Sequence, residues 1–284
     1  VVLLSGTPTP ESYSQMYHQV YGIKQNPFNM YVNFYKFAHN HVRIKERKIN
    51  GLYIRDYSHG LDEIIDMMKP YTINFSQKQA GFKTNIKEKV LYVDMEDLTY
   101  DVTSKLKRDK VVEGEEEVVL ADPPVKLRMK LHQLYSGTIK FESGNKMVLD
   151  YSKAEFIKDY FKNKKIAIFY KFTAELEALK IIFDDSITTS IDEFKKTKKN
   201  IALQIVSGRE GISLKEAKHI VYYNIDFSAT SYWQSRDRMT TKNRLNNSVY
   251  WIFSKGGIED DIYKAVTKKK DYTVKHFKRD LLSL

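Results

Sequence analysis

Four short apolar segments constrain this chain more than anything else in it: KKIAIFYKF, NIALQIVSG, KHIVYYNIDF and NSVYWIFSKG, all beyond Lys164. Each is near-continuous in apolar and β-branched residues, which is the pattern of a strand buried on both faces. Between and around them lie helical patterns, KAEFIKDYF, TAELEALKIIF and TSYWQSRDRM. Strands buried on both faces and separated by helices form a parallel sheet with helices packed against it. The expected class is therefore α/β. Thr173 is read as the N-cap of its helix.

The earlier half is more mixed. The chain opens VVLLSGTPTP, and Val1 to Leu4 read as a short buried strand. Thr9 would then cap a helix with Pro10 at its first position, Tyr13, Met16, Tyr17 and Val20 on one face, and Gly22 ending it. HVRIKERKINGLYIRDYS alternates around Asn50-Gly51, a hairpin signal. LDEIIDMMKPY reads as a helix stopped before Pro70, and EKVLYVDM as a strand with Val90 and Tyr92 outward and Leu91 and Val93 inward. The stretch from Arg108 to Pro124, RDKVVEGEEEVVLADPP, mixes charge and turn residues and reads as a mobile loop or linker. VKLRMKLHQLYSG reads as a helix, and GIEDDIYKAVTKKKDYTVKHF as a closing helix pair.

Composition removes several chemistries. With no cysteine among 284 residues, disulfide frameworks, thiolate zinc sites and cysteine nucleophiles are all excluded. His39 and His41 in HNH would alternate faces if extended, and no metal site is expected there or elsewhere. No apolar run reaches the ~18–20 residues of a membrane span, so a cytoplasmic protein without a membrane partner is expected. The formal net charge of +11 suits a polyanion partner, and equally suits general solubility.

Three strings carry chemistry. LLSGTPTPES lies near the start, VSGREGISL at a strand end, and YWQSRDRMTTKNR opens a helix. Gly208 and Gly211 serve either a tight strand-to-helix turn or close approach of backbone to a ligand outside a strand's carboxyl end. Arg236, Arg238 and Arg244 form either a phosphate clamp or a solvated basic face. The basic stretch KKKDYTVKHFKR reads as a solvated helix end or a DNA contact.

In this order and spacing the strings resemble superfamily-two helicases of the Swi/Snf-like branch, with compact, lysine- and tyrosine-rich phage-encoded members closest in character. LSGTPTPES with QMYHQVYG is similar to that branch's third motif. KKIAIFYKFTAELEAL resembles the fourth, SGREGISL the fifth, WQSRDR the sixth, and GIEDDIYKAV the closing helix. The resemblance implies a RecA-like second helicase lobe preceded by a remnant of the first lobe with helical and hairpin insertions. It divides the chain into 1–85 (first-lobe remnant), 86–138 (connecting strand, linker and helix) and 139–284 (second lobe with closing helices).

The resemblance also assigns residues. Arg238 matches the arginine finger and Gln234 the glutamine that orients it. Gly208 and Gly211 match the nucleotide-facing turn of the fifth motif, with Ser207 and Ser213 able to donate to phosphates. Ser5, Gly6 and Thr7 match the third motif, which couples the nucleotide site to the nucleic-acid track. Lys171 and Thr173 are candidate phosphate contacts, or a surface lysine and a helix cap. Thr241 stands where the family usually has a second arginine, for which Arg236 or Arg244 could substitute. No G-x-x-x-x-G-K-[ST] phosphate loop occurs in the sequence.

The family uses ATP and Mg²⁺ in the complete protein, and neither is expected to bind tightly to this chain alone. The expected function is the C-terminal portion of an ATP-dependent DNA helicase or translocase, with RNA still possible as the nucleic acid. It would be inactive as an ATPase without a first lobe in cis or in trans. If the protein is phage-encoded, its compartment would be the host cytoplasm. The alternatives are a non-catalytic nucleic-acid-binding module that kept the fold, and a two-lobed nucleotide-binding enzyme such as a glycosyltransferase.

Overall fold

The computed structural model describes residues 1–3, 9, 12–49, 52–73, 79, 81, 85–114, 116–208, 212–240 and 246–268. The chain divides into two compact units, Val1–Ala80 and Gly81–Leu284.

The first unit contains three short helices, α1 (Gln15–Val20), α2 (Phe34–His41) and α3 (Glu63–Met68), and a hairpin of β1 (Lys45–Ile49) and β2 (Leu52–Asp56). Its core is aromatic: Tyr17, Phe28 and Phe37 are buried with Val20, Ile64 and Met68. Tyr13 and Met16 pack against this cluster, as their helical spacing requires. Ile49 pairs with Leu52, so β1 and β2 form the hairpin expected here, while Asn50-Gly51 lies outside the described residues. α3 ends at Met68 and tightens into a 3-10 turn, Lys69–Tyr71, that takes Pro70 inside it.

Two expectations for this unit fail. Val1–Leu3 form no strand and are exposed, and Leu4 is outside the described residues. An apolar tripeptide without neighbouring strands has nothing to pair with and no face to bury. α1 begins after Ser14, not after Thr9; its backbone turns one residue past a serine whose hydroxyl donates to Tyr57 O at 2.9 Å. Gly22, at φ +80, follows the helix as expected.

The second unit is built on one six-stranded sheet. Its strands are β3 (Asn85–Val93), β8 (Ile166–Tyr170), β9 (Ile187–Thr188), β10 (Asn200–Gln204), β11 (His219–Tyr222) and β12 (Asn246–Ser254). The order is β3-β12-β11-β8-β10-β9, and every pairing is parallel. Alternate side chains feed two cores. Ala167, Phe169, Ile220, Tyr222, Trp251 and Phe253 enter one. Ile166, Ile168, Val221, Tyr223 and Ile252 enter the other. This is why the four segments lack polar alternation: neither face meets water.

The remaining elements cover the sheet or decorate it. In chain order these are α4 (Asp97–Asp109), β4 (Val111–Glu113), β5 (Val118–Leu120), α5 (Pro124–Leu134), β6 (Thr138–Lys140), β7 (Lys146–Val148), α6 (Ser152–Tyr160), α7 (Thr173–Phe183), α8 (Ile191–Lys196), α9 (Ile205–Gly208), α10 (Ala229–Arg236) and α11 (Glu259–Val266). Leu127 and Leu131 of α5, Tyr232 of α10 and Ile262 of α11 belong to the first core. Ala154 and Ile157 of α6 and Ala178 and Leu179 of α7 belong to the second. The architecture is thus a mixed α/β fold with a parallel sheet flanked by helices on both faces.

Three further expectations change here. The stretch read as a loop, 108–124, contains the hairpin β4–β5, because Val119 and Ala121 are buried in the core while Glu113 and Glu116 are exposed. Val90 on β3 packs against the first core instead of pointing outward, since helices cover both faces even at this edge strand. Thr173 is the first helical residue of α7, and the cap falls one residue earlier. Glu175 reaches back to accept from the backbone N–H of Lys171 at 2.7 Å and of Phe172 at 3.0 Å, so a carboxylate satisfies the orphan donors in place of a threonine hydroxyl. The second half of the closing helix pair lies outside the described residues.

Candidate functional site

Strand order locates a crevice before any side chain is considered. β8 runs into α7, which packs on one face of the sheet, whereas β10 runs into α9 and then Leu214 and Ala217, which pack on the other. Adjacent parallel strands whose connections leave to opposite faces open a crevice at their carboxyl ends, the usual ligand position in such sheets. Lys171 and Thr173 follow β8, and Ser207 and Gly208 follow β10. The sequence candidates from the fourth- and fifth-motif strings therefore meet at this one place. Gln204 Nε2 donates across it to Lys171 O at 3.3 Å.

Thr173 is exposed at the start of α7. Lys171 is not a free surface cation. Its ammonium donates to Asp226 and stands 4.7 Å from the Phe227 ring centroid, whose ring also carries Arg128 at 4.3 Å. Burial by itself would raise the Asp226 carboxyl, but Lys171 and hydrogen bonds from Ser231 and Phe227 N outweigh it, and the net shift is downward.

Beneath this pair runs a buried polar chain. His132 Nε2 meets Asn224 Oδ1 at 2.5 Å, and Asn224 Nδ2 donates to Glu175 Oε1 at 2.6 Å. Because Asn224 Oδ1 can only accept, His132 is assigned as the Nε2–H tautomer. Burial, reinforced by Lys171, drives the His132 imidazole well below its ordinary value, whereas burial raises Glu175 against the hydrogen bonds it accepts. None of His132, Glu175, Asn224 or Asp226 was selected from sequence. The available signal was Asn224 and Asp226, two polar residues inside the apolar segment KHIVYYNIDF.

This chain has a pH consequence. The unfolded state binds a proton on His132 below about pH 6.5, while the folded state, with its depressed imidazole, does not. The unfolded state then holds more protons, so stability falls as pH falls, by up to about 1.4 kcal/mol per pH unit. Lys171, Lys153 and Arg128 all face the ring and oppose its charging. Glu175 acts in the opposite sense, gaining its proton earlier when folded, but nearer the carboxylate range. Urea midpoints between pH 8 and 5.5 are expected to fall for the wild type and to flatten for His132→Gln. A parallel decline in both would show that His132 is not responsible.

The arginine string sits beside the crevice. α9 packs against α10, and the segment that follows Gly211 is tied to the 3-10 turn Asp237–Met239 through Leu214 N–H to Arg238 O at 3.0 Å. Arg238 is half-buried on that turn, next to wholly buried Met239, and Gln234 is half-buried one helical turn earlier on α10. Ser213 is exposed in the intervening segment. Ser5, Gly6, Thr7, Gly211, Thr241 and Arg244 lie outside the described residues.

Arg236 has a different commitment. Its guanidinium donates to Glu88 Oε1 at 2.7 Å, and the same carboxylate accepts from Tyr232 Oη at 2.9 Å, Trp251 Nε1 at 3.0 Å and Tyr263 Oη at 3.2 Å. Glu88 thus joins β3 to α10, β12 and α11. Burial first, then the charge of Glu88, pushes the Tyr263 hydroxyl up to about 12. Arg236 thus ties α10 to β3 through Glu88.

A nucleoside triphosphate with Mg²⁺ needs a phosphate cradle and oxygen ligands for the metal. Among the described residues no group of three or more histidine, aspartate or glutamate side chains is placed to hold a metal ion. Lys171 is bound to Asp226. Among the described residues, the crevice offers a phosphate chain Lys171, in exchange for Asp226, and Thr173. Among the described residues no helix is long and apolar enough to cross a membrane.

Residues 152–241 match the helicase conserved C-terminal domain family. The solved C-terminal part of the Fun30 ATPase domain is similar in fold, with a TM-score of 0.51 and 14% identity over 69% of this chain and 92% of that one. The SWI2/SNF2 ATPase core domain of Sulfolobus solfataricus gives a TM-score of 0.44 and 15% identity over 73% of this chain and 48% of that one. No curated protein sequence matches the chain. The second unit therefore has the RecA-like fold of a helicase lobe.

Proposed function

We propose that this chain is the C-terminal portion of an ATP-dependent DNA translocase of the Swi/Snf-like kind, whose phosphate loop and Mg²⁺ ligands are supplied by a separate ATPase lobe. The observation that carries this is the bond between Leu214 N–H and Arg238 O, which sets the arginine turn against the segment that follows Gly211. A family match over 152–241, from the start of α6 to just beyond Arg238, supports it. Arg238 acts as the finger on a nucleotide held by the other lobe, Gln234 orients it, and Gly208 and Gly211 let backbone approach the phosphates. Ser207, Ser213, Lys171 and Thr173 contribute to the nucleic-acid track, with Lys171 exchanging Asp226 for a phosphate oxygen. Ser5, Gly6 and Thr7 couple the two lobes, and 1–85 is what remains of the first.

The test supplies a first lobe in cis or in trans and measures ATP hydrolysis with and without DNA. DNA-stimulated turnover that appears only with both parts is the expected result. Its absence would favour the second reading, a non-catalytic nucleic-acid-binding module. That reading draws on the commitment of Arg236 to Glu88 and on Thr241 at the second-arginine position.

A further inference from the structure

The hairpin of the first unit is exposed on both faces. Every described side chain in it from Lys45 to Arg55 is exposed, including Leu52 at 71%, Tyr53 at 69% and Ile54 at 51%. A two-stranded hairpin is marginal on its own, and with Tyr53 on one face and Leu52 and Ile54 on the other, both faces leave large apolar side chains in water for something to cover.

The charges identify the occupant. Arg43, Lys45, Arg47, Lys48 and Arg55 stand against only Glu46 and Asp56 in the same stretch. Glu46 is already bound by Arg55 at 2.7 Å. Lysine is depleted at protein–protein interfaces, whereas lysines interleaved with an exposed aromatic ring suit a polyanion with flat faces. Register places Lys48 directly opposite Tyr53 on one face, with the ammonium 5.6 Å from the ring centroid. A base stacked on that ring would have its phosphate within the lysine's reach.

At the base of β2 lies a groove of about 560 Å³, lined by His18, Phe34, Ile54, Arg55, Tyr57 and Ser58 among others. Phe34 stands 4.5 Å from the His18 ring and 5.4 Å from Tyr57, so its floor is aromatic and its rim carries a guanidinium and a hydroxyl. This volume admits an unstacked nucleotide, and Ile54 and Arg55 make the groove continuous with the hairpin.

We infer that the hairpin Lys45–Asp56 and the groove at its base bind single-stranded nucleic acid, with Tyr53 stacking on a base and Lys48, on the same face, on a phosphate. This contact lies outside the parallel sheet, and it does not depend on nucleotide hydrolysis.

Fluorescence anisotropy of the full chain with labelled oligo-dT, oligo-rU and a DNA duplex, across a salt series, tests it. Tyr53→Ala is expected to weaken single-strand binding about 5- to 150-fold, whereas Tyr53→Phe, which keeps the ring, retains it. Lys48→Ala is expected to reduce the salt slope by about 0.7. Lys180→Ala, an exposed lysine of α7, serves as the charge control and should change neither quantity. The oligo-dT and oligo-rU arms distinguish DNA from RNA. The inference is overturned by no binding, by duplex preferred over single strand, by Tyr53→Ala binding like wild type, or by a self-association that Tyr53→Ala abolishes. ATP hydrolysis reads out the translocase proposal separately, so either can fail without the other.

Discussion

Replacing Arg238 by alanine in the two-lobed protein is expected to lower DNA-stimulated ATP hydrolysis by about 10³–10⁵. Phosphoryl transfer leaves a protein little covalent work, so a cation placed at the developing charge carries a large part of the rate. Arg238→Lys is expected to recover little, because an ammonium lacks the planar fork that grips two phosphate oxygens. Arg236→Ala is the informative contrast. Its guanidinium is held by Glu88, which also accepts from Tyr232, Trp251 and Tyr263. That variant is expected to lower the urea midpoint while the folded fraction keeps turnover within a few-fold of wild type. Equal losses of turnover for both variants at full folding would assign Arg236 to the reaction. Turnover unchanged in Arg238→Ala would remove the finger from this position.

The sheet was legible in the sequence because its strands are buried on both faces, and unbroken apolar segments such as IAIFY leave few other solutions. Segments whose structure depends on distant partners were not. The stretch 108–124 is dense in glutamate, yet Val112, Val119 and Ala121 pack against the core and the stretch forms a hairpin. Val1–Leu3 have the composition of a strand and no strand beside them. For the candidate site, a glycine at a strand end pointed to Gly208, and the resemblance of the flanking strings to helicase motifs pointed to Lys171, Thr173 and Ser207. Sequence did not select His132, Glu175 or Asn224, because their chain of hydrogen bonds joins three elements separated by as many as 92 positions. It offered Arg236 as a substitute for the second arginine without the signal that its guanidinium is held by Glu88, 148 positions away.

Glu259→Ala is expected to cost about 3–5 kcal/mol, a large share of the roughly 5–15 kcal/mol that holds a domain together. Lys153 on α6 and Glu259 on α11 are both wholly buried, and their side chains meet at 2.7 Å. Removing the carboxylate leaves an ammonium in the core with only the Tyr223 carbonyl, at 3.5 Å, to receive it. The same carboxylate accepts from Ser254 N–H at 3.3 Å, so it seats α11 on the end of β12. The seat is tight: a Cβ on Gly257 would stand 1.9 Å from Glu259 Oε2 and 3.0 Å from Ser254 O, so Gly257→Ala is expected to destabilise as well. Replacing both charges with apolar residues, Lys153→Met with Glu259→Leu, should recover most of the loss, since a desolvated pair gains little over well-packed side chains. Urea midpoints of the single and double variants decide it, and a single variant within about 1 kcal/mol of wild type would contradict the burial argument. The pair also bears on the arginine turn. Trp233 Nε1 on α10 donates to Val266 O at the end of α11, so the helix that carries Gln234 and leads into Arg238 leans on the helix that Glu259 anchors. Loosening that anchor is therefore expected to blunt the Arg238-dependent reaction even in molecules that remain folded, whereas the repacked double variant should restore both.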